Sequence, residues 1–261
     1  MNIREDNLIQ LSVDLERWIN SKIFVPLLHL HCLVEPGNPF KMTNVQLVEG
    51  DWKNFTFRMI SEADIPEVCE HLRENFYPDE PVSGKIGHSD LKFDEFDMAA
   101  CKQLSSNMCF AAFDKETGKI AAIRTITRRK KGDDFISVEF VSPEMRSAIR
   151  FFTETDNKCN IFETFDIDEY ADLRIQCVGR QFRGKGLATE MYTRALAFLK
   201  QSGFLVAKSV FTSPYTRKAA SNLGFVELAR KYFREITDEN GALVCPDAGD
   251  NEFVAVMALK L

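Results

Sequence analysis

Apolar residues after position 54 recur in short blocks whose spacing alternates between two and three or four, which predicts strands interleaved with amphipathic helices. FTFRM (55–59) reads as a strand. Ser61, with Asp64 three residues on and Pro66 in the first turn, opens a helix through PEVCEHLREN (66–75) that buries Ile65, Val68, Cys69 and Leu72. Pro78 and Pro81 in FYPDEPVSG end any helix, and residues 91–104 form the next one. MCFAAFDKETGKIAAIRTIT (108–127) predicts a hairpin turning around Lys115 to Gly118. Residues 142–154 predict a helix, 155–170 a connector and 171–179 a strand. A helix then spans 184–203, with Leu187, Met191, Leu196 and Leu199 inward and Gly203 as its stop. A strand (204–211), a helix ended by Gly224 (213–225) and a last strand (252–261) complete the pattern. The first 54 residues show neither period, and EPGNP (35–39) is a turn or linker. The expected organisation is an extension, 1–54, followed by one main domain, 55–261.

Composition narrows the function classes. The 261 residues are 45% apolar and 28% charged, as in ordinary globular proteins. The formal charge of -6 ranks nucleic-acid binding low and suits a cationic substrate. Seven scattered cysteines, with no C-x-x-C, favour reduced thiols over zinc or a disulfide framework. His29 and His31 have no carboxylate or thiolate at ligand spacing, so no metal is expected. No run reaches the ~18–20 apolar residues that span a bilayer. The nearest, 23–34, contains Pro26 and follows acidic residues, so the expectation is a cytoplasmic protein without membrane association.

VGRQFRGKGLATE (178–190) is the densest chemical signal. A strand ends at Val178 and a helix begins near Gly186. Gly184 and Gly186 allow a tight turn, so that several amide N–H groups converge at a helix start. Arg183 and Lys185 add positive charge, making an anion site suited to a pyrophosphate. Gly179, Gly184 and Lys185 match the opening of a P-loop, but Gly186 stands where the magnesium-binding hydroxyl belongs. A dinucleotide fingerprint needs different spacing and an earlier position in the domain. A glycine-rich turn with a solvated basic face is the plain alternative.

Gln181-Phe182-Arg183-Gly184-Lys185-Gly186, followed by Leu187-Ala188 and a long amphipathic helix, resembles the Q/R-x-x-G-x-G/A signature of the GNAT acyltransferases. A second block in the same order, the strand VAKSVF, a short helix and Leu223-Gly224-Phe225, extends the resemblance. It implies an α/β (α+β) fold with a central mixed, largely antiparallel sheet, splayed between two neighbouring parallel strands, and helices on both faces. It also implies acetyl-CoA as co-substrate. The pyrophosphate would lie on Gln181, Arg183, Gly184, Lys185, Gly186, Leu187, Ala188 and Thr189, and the pantetheine arm along the backbone of Gln176, Cys177 and Val178. Such enzymes transfer the acyl group directly in a ternary complex, so Cys177 reads as a buried strand thiol rather than an acyl carrier.

Asn75-Phe76-Tyr77-Pro78-Asp79-Glu80-Pro81, together with residues 63–68 and Leu72-Arg73, is similar to the first helix and loop of invertebrate (insect-type) arylalkylamine N-acetyltransferases. Their D-E-P-L ends here in Val82. The resemblance covers residues 55–261 and implies Glu80 as the base that deprotonates the amine, with Phe76, Tyr77 and Asp79 as substrate-binding residues. The Tyr that protonates the leaving thiolate in many GNAT enzymes is Ala220 here. Paired hydroxyls of the invertebrate group map to Thr212 and Thr216, with Ser213 and Tyr215 as neighbours able to substitute. The expected partners are acetyl-CoA and a small amine such as dopamine, octopamine, tyramine or serotonin, and the expected state is a monomer, with a dimer as the alternative. Another amine, a polyamine or amino sugar, or a non-catalytic acyl-CoA-binding module are the competing readings.

Overall fold

A computed structural model describes residues 46–85, 94–104, 106–133, 140 and 142–261. The His29/His31 pair, the 23–34 apolar run and the EPGNP turn lie outside the described residues. Eight described strands form one sheet: β1 (Gly50–Trp52), β2 (Phe55–Met59), β3 (Phe110–Asp114), β4 (Ile120–Lys130), β5 (Glu169–Val178), β6 (Val206–Phe211), β7 (Val226–Tyr232) and β8 (Phe253–Lys260), in the order β1-β2-β3-β4-β5-β6-β8-β7. Every pairing is antiparallel except β5 with β6. Strands β3 and β4 are buried along most of their length because helices cover both faces. The expected mixed sheet, with helices on either side, is the observed one. β1 lies within residues 1–54, and Met42–Leu261 form one compact unit.

One face carries α1 (Ile65–Asn75) and α3 (Asp94–Leu104). Val68, Leu72, Ala100 and Leu104 pack there on Ala111, Ile123, Ile175 and Cys177. A 3-10 turn, Glu62–Asp64, leads into α1, where the Ser61 N–H and hydroxyl both donate to Asp64 (2.8 and 2.6 Å). Arg58 grips the same carboxylate through two bonds, 2.6 and 2.7 Å, and is the main reason its carboxyl pKa lies well below the usual carboxylate range.

The opposite face is covered by α6 (Leu187–Gln201), which buries Leu187, Met191, Tyr192, Ala195, Phe198 and Leu199. Leu196, expected inward, is half-buried at the margin of that stripe. Helices α4 (Pro143–Asp156) and α5 (Ile161–Phe165) pack around β6, β7 and β8 through Phe151, Val254, Ile161 and Val256.

Three elements depart from expectation for local reasons. Pro81 does not end a helix but begins one, α2 (Pro81–Lys85), where its missing N–H costs nothing at the first helical position. The expected connector contains α5, closed by Asp166 in the left-handed region at φ 53°. β7 is a charged edge strand, VELARKY, with weak apolar alternation.

Candidate active site

Strands β5 and β6 pair in parallel only at Ala171–Ala207 and Asp172–Lys208. Beyond that rung they separate. β5 continues to Val178 on its pairing with β4, and β6 to Phe211 on its pairing with β8. A bulge helps the divergence: Arg174 and Ile175 of β5 face the single residue Thr125 of β4, whose hydroxyl accepts from the Ile175 N–H at 2.9 Å. Ser209 Oγ donates to Leu173 O (2.6 Å) just past the last rung.

The vertex is pinned by charge. Lys208, fully buried, pairs with Asp156 of α4 and stands 3.6 Å from Asp172, which Arg174 also contacts at 3.1 Å. Burial alone would raise the Asp172 carboxyl, but the two cations hold it below its ordinary value.

A cavity of about 210 Å³ occupies the splay. Phe76, Tyr77 and Phe96 wall one side, Met145 and Phe152 of α4 another, and Gln176, Phe211, Thr212 and Thr216 lie around the strand ends. Glu80 lines it as well. The Glu80 carboxylate accepts from Val82 N–H (3.1 Å, Oε1) and from Ser83 N–H and Oγ (2.7 and 2.8 Å, Oε2), so the start of α2 orients it. A carboxylate has roughly four acceptor positions, which leaves Oε1 able to take a further partner. Tyr77 spends its hydroxyl on Asp97 (3.1 Å), itself paired with Arg73, and presents its ring to the cavity beside Phe96, 4.7 Å between centroids.

At the mouth of the splay, a 3-10 turn (Arg180–Phe182) leads to Gly184 and Gly186, at φ 75° and 86°, and then into α6. Only glycine adopts those angles cheaply. The first intrahelical bond here is Glu190 N–H to Gly186 O, so the amides before it form the open start of α6. Gln181, Lys185, Ala188 and Thr189 are exposed around that opening, while Leu187 is buried as an anchor. Gln176 donates to Ala188 O at 3.1 Å, tying the strand to the helix start.

Several expected residues sit differently. Arg183 does not face the loop opening. It turns back to Val178 O, Asn75 O and Asp79 (3.0, 3.0 and 2.8 Å). Asp79 lies outside the cavity lining, because Arg180 and Arg183 together hold its carboxylate. Cys177, by contrast, is the buried strand thiol expected, packed against α1, and burial pushes it up to about 12. Of the hydroxyls near α7 (Pro214–Asn222), Thr212 and Thr216 line the cavity. Ser213 instead caps the helix, and Tyr215 is 85% exposed.

Two neighbours of the loop had no sequence signal. Lys53, at φ 51° in the β1–β2 turn, donates to Lys185 O (3.2 Å), and a Cβ on Gly186 would stand 3.7 Å from the Trp52 ring. Beneath the start of the loop, His71 is close enough to Gly179 that a Cβ there would meet its ring at 3.2 Å. Burial drives His71 down to about 4. The unfolded chain takes up this proton near 6.5 and the folded chain only near 4, so stability is complete above 6.5 and declines as pH falls through that window. Thermal melts across the window should show an acid slope that His71→Gln flattens; equal slopes would remove His71 as its source.

A splayed parallel pair in an otherwise antiparallel sheet, with a glycine loop and helix start at its open end, is the GNAT acetyltransferase fold. Solved structures similar to this chain agree. Arylalkylamine N-acetyltransferase 2 from Aedes aegypti is 25% identical, with a TM-score of 0.70 over 79% of this chain and 99% of that one. Mosquito arylalkylamine N-acetyltransferase-like 5b is 16% identical, TM-score 0.71, over 79% and 100%. A Drosophila melanogaster polyamine N-acetyltransferase that forms N-acetylagmatine is 16% identical, TM-score 0.66, over 79% and 100%. No protein-family model matches the chain. The chain thus has a GNAT fold resembling the insect arylalkylamine N-acetyltransferases, and these likenesses support an acyltransferase.

Proposed function

We propose that the protein is an acetyl-CoA-dependent N-acetyltransferase acting on arylalkylamines. The observation that carries this reading is a single cavity bringing Glu80, an aromatic wall and the unpaired edge of β5 together at the open end of the splay. The residues suit acetyl-CoA. The amides opening α6, with Lys185 and Lys53 beside them, suit a pyrophosphate, and the β5 edge from Leu173 to Val178 has no strand partner on the β6 side among the described residues, which suits the amides of a pantetheine arm.

Glu80 attracts the ammonium group and accepts its proton through Oε1, since an alkylamine with a pKa of about 10 must be neutral to attack a thioester. The amine nitrogen then bonds to the acyl carbon and the carbon–sulfur bond breaks. Backbone N–H groups near Val178 meet the developing oxyanion. Thr216 commits its hydroxyl to Ser213 O (3.0 Å), whereas the Thr212 hydroxyl bonds no described residue and is the better proton donor to the departing thiolate. Asp79 acts at one remove, through Arg180 and Arg183, by joining the Glu80 loop to the cofactor loop. Because these pairs are partly exposed and screened by solvent, the effect is small, and Asp79→Asn should raise the KM for acetyl-CoA by about two- to fivefold. An unchanged KM would make the link incidental.

A polyamine acceptor is the second reading, suggested by the Drosophila neighbour. It needs a free acid for the distal cation. Among the described residues, the cavity's carboxylate besides Glu80 is Asp172, already engaged by Lys208 and Arg174. Comparing kcat/KM for tyramine, dopamine, octopamine and serotonin with spermidine, agmatine and glucosamine decides between them. The aromatic amines should lead, and a lead by spermidine or agmatine would replace the arylalkylamine reading.

A further inference from the structure

Arg124 of β4 is 1% exposed, lines the substrate cavity, and stacks over Tyr192 of α6 with 4.2 Å from the guanidinium carbon to the ring centroid. Its Nε and Nη2 have no hydrogen-bond partner among the described residues. These two nitrogens form one edge of the planar group, the edge that grips a carboxylate through two parallel bonds. Arginine cannot shed its charge, and the face of Tyr192 answers the cation without answering those N–H groups. A buried, unpaired guanidinium is costly unless something enters to meet it. Neither of the cavity's own described carboxylates bonds these nitrogens: Asp172 is held by Lys208 and Arg174, and Glu80 is oriented by the start of α2. Gln176 lies directly across from Arg124 in the β4–β5 register, and its buried Oε1, an acceptor, has no partner among the described residues.

We propose that Arg124 forms a subsite for a carboxylate carried by one of the two substrates, so that the enzyme recognises a second functional group besides the amine. This rests on the acyltransferase reading alone, and it replaces either acetyl-CoA or the simple arylalkylamine, as the preferred substrate, by a carboxylate-bearing relative. Arg124 stands with Gln176 and Tyr192, and Tyr192 belongs to the helix that begins at the glycine loop. That placement favours the acyl group of the donor, a thioester of a dicarboxylic acid; an amino-acid acceptor is the other source of the same chemistry. In either case the carboxylate is a spectator. The amine nitrogen bonds to the acyl carbon, the carbon–sulfur bond breaks, and the proton lost by the ammonium is balanced by the one gained by the thiolate.

The test measures kcat/KM by CoA release in two pairs: succinyl-CoA against acetyl-CoA with tyramine, and tyrosine against tyramine with acetyl-CoA. The carboxylate-bearing member of one pair should lead by roughly tenfold or more, as for a site whose buried donors are left empty by the analogue. A lead in the first pair assigns the donor, and a lead in the second the acceptor. Arg124→Met should bring the leading ratio toward one, and Arg124→Lys should keep part of it. A wild-type protein with neither preference overturns the proposal without any variant, as does an Arg124→Met that folds and retains the ratio. Absence of CoA release with every pair would overturn the acyltransferase reading. Calorimetric titration of the wild type with the same ligands then decides the subsite: tighter binding of a carboxylate-bearing member upholds it, and equal affinities overturn it.

Discussion

Glu80→Gln is expected to lower turnover by roughly a hundred- to ten-thousandfold, the span associated with losing a general base, while acetyl-CoA affinity stays close to that of the wild type. The amide fills the same space and can still accept from one of the donors at the start of α2, but it can neither attract a cation as strongly nor take its proton. Because Glu80 also receives the Val82 and Ser83 amides, a local loosening of α2 is part of the expectation. Acetyl-CoA binding, measured alongside turnover, separates that loosening from lost chemistry. Normal turnover in the variant would remove Glu80 from the mechanism. A parallel collapse of acetyl-CoA affinity would make its role structural.

The second large effect is expected at the loop. Gly186→Asp places a side chain at φ 86° and sets a carboxylate at the start of α6, where the amides would meet a pyrophosphate. A non-glycine residue in the left-handed region costs about 1–2 kcal/mol, and the like charge adds repulsion, so acetyl-CoA affinity should fall by at least roughly a hundredfold. Gly186→Ala separates the two causes, since it brings the backbone strain without the charge. Affinity unchanged in the Asp variant would sink the assignment of the loop to the cofactor.

The loop was legible in sequence because backbone geometry restricts residue type: angles near those of Gly184 and Gly186 suit glycine, and the strand and helix on either side carry plain periodicities. The acidic loop was legible only through resemblance, because Asp79-Glu80-Pro81 taken alone is an ordinary surface turn. What did not show was direction. Arg183 and Lys185 look equivalent in sequence, yet Arg183 is drawn back by Asp79, Asn75 O and Val178 O, and Lys185 stays at the opening. Asp79 looked like a partner for the amine and is instead a clasp between two loops. Trp52 and Lys53 reach the loop through a strand pairing that no local pattern announces, since Lys53 and Lys185 are 132 residues apart in the chain. Arg124, in the strand AAIRTIT, has the spacing of an ordinary polar position, and only burial and its unpaired edge distinguish it.

The most direct test of the central claim is CoA release from acetyl-CoA in the presence of tyramine, followed to completion with the acetylated amine identified by mass. The account predicts equal amounts of free CoA and N-acetyltyramine, with neither formed when the amine is left out. Tight acetyl-CoA binding with no CoA release, for tyramine or any other amine, would contradict it and leave an acyl-CoA-binding protein built on an acetyltransferase fold.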